Sequence, residues 1–182
     1  LDASTDAQFR PQADRDALGR IIRATQRATA SFETQTSEDG RYEVRFAPGP
    51  DAILVPYALE TMRATDLALS EEFDIQVPGP IRLEIYPTAA SLSDVSSLSV
   101  EAIETTGTIA LCKWDRIMIT SPRALQRGYP WLDTIGHELV HLFLSRASRD
   151  RAPVWFQEGM AKVLERRWRR ETSSARLDPA SN

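Results

Sequence analysis

The chain has two histidines, and both lie in one pentapeptide, His137-Glu138-Leu139-Val140-His141. This HExxH spacing constrains the local fold before anything else does. An α-helix turns about 100° per residue, so positions four apart stand about 40° apart on one face. On a helix the two imidazoles therefore point at one place, and no loop could hold them so simply. The flanking residues agree, because Pro130 opens the segment and residues 131–145 carry helical apolar spacing. Two imidazoles one turn apart are half of a zinc site. The intervening Glu138 is placed to act on a metal-bound water as a general base rather than to bind the metal.

A catalytic zinc takes three protein ligands and leaves its fourth position open. No third histidine exists. Cys112, the single cysteine, precedes the motif and is the weaker candidate. The better one is Glu158, in Pro153-Val154-Trp155-Phe156-Gln157-Glu158-Gly159-Met160-Ala161. Proline favours a first helical turn, so a second helix is predicted from about residue 153 to residue 170. Glu158 lies seventeen positions after His141. That length finishes the first helix, crosses the polar turn Ser148-Arg149-Asp150-Arg151 and returns antiparallel. Gly159 and Ala161 are small enough to let two helices approach around an ion.

Together, HExxH and the Trp-Phe-Gln-Glu-Gly-x-Ala stretch resemble the gluzincin (HExxH…E) zinc metallopeptidases. Within them the chain is most similar to the compact peptidase MA-like domains, over roughly residues 32–171. The resemblance implies Zn2+ on His137, His141 and Glu158, with Glu138 as the catalytic base and a peptide or protein as substrate. It also implies a sheet whose edge strand borders the cleft and takes substrate backbone as an added strand. By order along the chain, that strand falls to residues 107–112, with 116–120 beside it.

Two departures accompany the likeness. Many gluzincins carry an acidic residue four after the ligand Glu, which orients a ligand His; here that position is Lys162. Many also supply a downstream Tyr or His to the oxyanion, and after Glu158 this chain has neither. Tyr129, Arg123 and Arg127 are the alternative donors. Asp133, four before His137, suits either a hydrogen bond to a ligand ring or charge compensation at a helix N-terminus. Glu165 returns to the helix face of Glu158, where a role at the site and a plain surface role stand equal. Trp155 and Phe156 are expected in the core, and Cys112 as a packed strand residue. The Arg166-Arg167-Trp168-Arg169-Arg170 run is expected as a solvated helix end or a face for a missing domain.

The remainder of the chain supplies the frame. Its 182 residues, 42% hydrophobic and 26% charged, suit one soluble domain. A net charge of −4 argues against nucleic acid as a partner. One cysteine excludes an internal disulfide. No apolar run approaches the roughly 18 residues of a membrane span, and no signal peptide is visible. The chain starts at Leu1, so flanking domains of a larger, exported (periplasmic or extracellular) bacterial protein are expected. Residues 16–30 read as a helix, 32–36 and 41–46 as a hairpin about Ser37-Glu38-Asp39-Gly40, 53–73 as a helix and 81–86 as a strand. Residues 91–104 read as a short helix and a loop, and 107–112 and 116–120 as two strands. The fold class is therefore α+β: a small mixed or antiparallel sheet, then the HExxH helix and the Glu-bearing helix of a zincin-like domain. The expected organisation is a tail and helix over 1–31, the zincin domain over 32–171 and a disordered tail over 172–182.

Two rival readings stand beside the peptidase. One is a catalytically inactive peptidase-like domain that binds a peptide or partner protein. The other keeps zinc as a structural ion, which ordinarily takes four protein ligands.

Overall fold

The alternation in Tyr42–Phe46 (β2) sends Tyr42, Val44 and Phe46 to one face, where all three are buried. Ile81–Tyr86 (β3) does the same with Ile81, Leu83 and Ile85. The two strands pair in parallel, with Val44 opposite Leu83. Arg116–Thr120 (β5) adds a second parallel neighbour, placing Ile117 beside Leu83 and Ile119 beside Ile85. The computed structural model in which these strands are seen describes residues 16, 18–96, 109–113 and 115–169. Glu33–Thr36 (β1) closes one edge antiparallel to β2, and Ala110–Lys113 (β4) closes the other antiparallel to β5. The order is β1-β2-β3-β5-β4, a mixed sheet with a parallel centre and antiparallel edges.

The opposite sheet face carries charge. Glu84 is fully buried there, yet accepts hydrogen bonds from Arg45 Nη1 at 3.0 Å, Arg116 Nη1 at 2.9 Å and the Tyr86 hydroxyl at 2.8 Å. A buried carboxylate is tolerable only when so compensated. Beyond this ladder, Tyr86, Leu92, Val95 and Met118 form a small apolar cluster under Ala28 and Phe32. The helix over residues 18–28 (α1) leaves Leu18 and Ile22 exposed.

Parallel strands need a crossover, and Val55–Phe73 (α2) supplies it between β2 and β3. Helix α2 lies on the apolar face, as does Trp131–Ser148 (α4). Val44, Phe46, Leu83, Ile85, Ile117 and Ile119 of the sheet meet Met62 and Leu69 of α2 and Leu139 and Phe143 of α4 in one core. The intervening short helix, Ala89–Asp94 (α3), is closed at its start by a reciprocal Thr88–Ser91 capping box. Val154–Leu164 (α5) packs on α4, and β4 packs against α4 from the sheet side.

Several expectations are corrected here. The last helix ends at Leu164, not near residue 170, and Glu165 begins a turn. Trp155 is 76% exposed and Phe156 38% exposed, so neither is core. Among the described residues, helix α5 buries only Ala161 and Leu164, and its opposite face leaves Trp155 76% and Val163 73% exposed. The expected loop over 97–104, the first two residues of the strand expected over 107–112, and both chain ends lie outside the described residues. Among the described residues, no helix is long and apolar enough to cross a membrane.

Candidate metal centre

Helix α4 presents His137 and His141 side by side, their rings edge to face with centroids 4.9 Å apart. Their Nε2 atoms stand 3.2 Å apart. After Ser148 the chain reverses through Arg149 and Asp150, both left-handed at φ 53° and 59°. The Asp150 N–H donates to the Ser145 carbonyl at 2.9 Å, and the Ser145 hydroxyl donates to the Asp150 carboxylate. Pro153 then starts α5, which returns along α4 and brings Glu158 to the histidines. Glu158 Oε2 lies 3.5 Å from His137 Nε2, and its Oε1 lies 3.5 Å from His141 Nε2.

These separations test whether zinc fits. Ligand atoms at about 2.0–2.1 Å from a tetrahedral zinc stand about 3.3 Å from one another. The 3.2 Å between the two Nε2 atoms is close to that edge length, and Glu158 stands 3.5 Å from each ring nitrogen through a different oxygen, so its carboxylate straddles the pair. His137, His141 and Glu158 are also the three residues the fold groups as candidate ligands among the described residues. Cys112 is not among them. It sits on β4 with its thiol pushed up to about 12, chiefly by burial and then by the charge of Glu138, so it is no thiolate donor at neutral pH.

The His137 ring has an outer partner from the α5 side. His137 Nδ1 lies 3.3 Å from Glu165 Oε2, a contact that favours the Nδ1–H tautomer and leaves Nε2 free to bind. Glu165 is the residue that caps α5, and its other oxygen accepts from Lys162 Nζ at 2.8 Å. On the α5 side of His141, the Gln157 amide nitrogen donates to the Ala152 carbonyl at 2.7 Å. Burial is the largest effect on His141 and holds its pKa below the usual histidine value.

Glu138 stands one residue along α4 and is 6% exposed. It faces β4, where the Cys112 backbone N–H hydrogen-bonds to it. Burial, and then the negative charge of Glu158, push its pKa up to about 8. The cleft before it encloses about 1030 Å³, with residues 109–113 on one wall and Val154, Gln157, Glu158 and Lys162 on the other. The edge strand expected beside the metal helix is thus where chain order put it.

Other candidates are placed elsewhere. The Tyr129 hydroxyl donates to the Thr120 carbonyl, and Arg123 Nη1 lies 3.4 Å from Asp51. Neither they nor Arg127 line the cleft. The Asp133 carboxylate, though it borders the cleft, makes its bonds to other groups than the ligand rings. It accepts from Trp168 Nε1 at 3.2 Å and from Arg169 Nη2 at 2.9 and 2.7 Å, and pairs with Arg166 Nε at 3.2 Å. Arg166, Trp168 and Arg169 are therefore tied to α4, while Arg167 pairs with Glu72 of α2 at 3.0 Å.

Compared with known proteins, the chain matches no family model and no curated protein. The functional reading accordingly rests on the site itself.

Proposed function

We propose that this chain is a zinc-dependent peptidase of the gluzincin kind, with His137, His141 and Glu158 holding the ion and Glu138 as base. One observation carries the reading: two imidazole nitrogens 3.2 Å apart face one carboxylate, each 3.5 Å from one of its oxygens, with a buried carboxyl one residue from His137. A zinc ion held there would polarise a scissile carbonyl and acidify a coordinated water. The Glu138 carboxylate takes a proton from the attacking water and hands it to the leaving amine. Its burial raises its proton affinity, which suits a group that must hold a proton between two transfers. Strand β4 lies at the sheet edge beside the cleft, and its backbone offers an extended peptide a place to align.

A second reading, a peptide-binding domain without turnover, draws on a different observation. Of the cations that line the cleft, Arg146, Lys162 and Arg166 are engaged by the carboxylates of Asp115, Glu165 and Asp133, and Lys113 is not free either. None of these described residues stands uncommitted to meet an oxyanion.

Purified wild type, Glu138→Gln and Glu158→Ala separate these readings when zinc per chain is measured beside casein cleavage. One zinc in wild type and Glu138→Gln, weak zinc in Glu158→Ala, and cleavage by wild type alone support the peptidase. One zinc with no cleavage of casein or of a mixed peptide library favours the binding domain. No zinc after metal is supplied sinks both the peptidase and the structural-zinc reading.

A further inference from the structure

The position that carries the ring-orienting acid in the resembling enzymes holds Lys162, yet His137 does not lack a carboxylate. Glu165 reaches its Nδ1 at 3.3 Å from the turn that follows α5. Two independent features hold that turn against α4, and a third fixes the Glu165 carboxylate itself. A Cβ on Gly136 would overlap the carbonyl oxygen of Glu165, so only glycine lets the turn come this close. The buried carboxylate of Asp133, one helical turn before His137, is bonded by Arg166, Trp168 and Arg169. Lys162, instead of orienting a ring, fixes the second Glu165 oxygen at 2.8 Å.

We propose that the turn over residues 165–169 is the outer half of the metal centre: Glu165 is the positioning residue of His137, and the Asp133 clamp holds it in place. The proposal rests on the metal-centre reading above. It assigns three residues outside the ligand set, Gly136, Asp133 and Glu165, to one task, fixing the His137 ring. It also gives Lys162 a purpose, because the lysine draws Glu165 into the role the local acid has vacated. The ion's affinity is then controlled by a segment that contributes no ligand.

The test is zinc affinity of the full chain by competition with a chromophoric chelator, beside the thermal melt of each metal-free variant. Glu165→Ala is expected to bind zinc roughly 10- to 100-fold more weakly, the usual effect of losing such a partner. Glu165→Gln keeps the length and an acceptor oxygen, so its loss is smaller. Asp133→Asn weakens zinc as well, but adds nothing in the double variant with Glu165→Ala, because it acts through the same residue. Wild-type affinity in Glu165→Ala would overturn the proposal. So would a Glu165→Ala that loses its fold while Glu165→Gln binds as wild type, or fully additive losses in the double variant. Wild type that holds zinc but cleaves nothing ends the peptidase reading and leaves this one standing; wild type that holds no zinc ends both.

Discussion

Helices α4 and α5 share one candidate ion site and are held by different forces. Helix α4 buries nine residues, among them Leu139, Val140, Phe143 and the base Glu138. Helix α5 buries two, Ala161 and Leu164, while Val154, Trp155 and Val163 are each more than 70% exposed. The histidines are thus set by core packing before any ion arrives. Glu158, its side chain 57% exposed, is set by a turn and a few polar ties: Gln157 to Ala152, Glu165 to His137, and the Asp133 clamp beyond. The contrast teaches that holding the fold and closing the candidate metal centre are separable in this chain, the first residing in α4 and the second in α5.

The largest effect expected from breaking the comparison is chemical. Glu138→Gln should cost at least about 10²- to 10⁴-fold in casein hydrolysis while zinc per chain stays at the wild-type level. Next comes stability. Phe143→Ala should lower the unfolding free energy by about 3–5 kcal/mol in urea titrations, whereas Trp155→Ala should stay within about 0.5 kcal/mol of wild type. Equal losses at the two positions would erase the distinction between the helices. Chelation should follow in size, removing about 2.7 kcal/mol relative to protein held at a hundredfold excess of free zinc over Kd. Hydrogen exchange should then quicken over residues 154–164 well before residues 131–144.

The finest test is titration of the metal-free protein. The Glu138 pKa is raised from 4.5 to about 8, so the folded state binds this proton more tightly than the unfolded chain does. The stabilisation is complete below the unfolded value and is lost as pH rises through about 8. Metal-free wild type should therefore lose stability between these limits relative to Glu138→Gln. Parallel melting curves for the two proteins across that range would refute the assigned environment of Glu138.

What could be read from the sequence follows the same division. His137, Glu138 and His141 were legible because helix geometry alone brings them together. Glu158 was legible because the polar turn leaves a helical hairpin little choice. Strands β2 and β3 announced themselves through strict alternation. Trp155 and Phe156 misled, since apolar character does not say whether a helix has one neighbour or two. Glu165 and Asp133 were visible as charges, but their roles were not. Both depend on where α5 ends and on how near Gly136 lets the following turn come, which are properties of packing rather than of spacing. The arginine-rich end was misread for the same reason, because its partner lies more than thirty residues upstream.

The two left-handed residues between α4 and α5 carry a consequence for protein engineering. Arg149 and Asp150 hold a conformation that costs a side-chain-bearing residue about 1–2 kcal/mol, and that glycine adopts freely. Directed evolution toward heat tolerance would find Arg149→Gly readily, since glycine is the preferred residue just past a helix end. The same change hands rotational freedom to the hinge that sets how far Glu158 stands from the histidine pair. Thermostabilised descendants of this protein would then survive hotter with a looser Glu158, and a breeder screening on survival alone would never see the change.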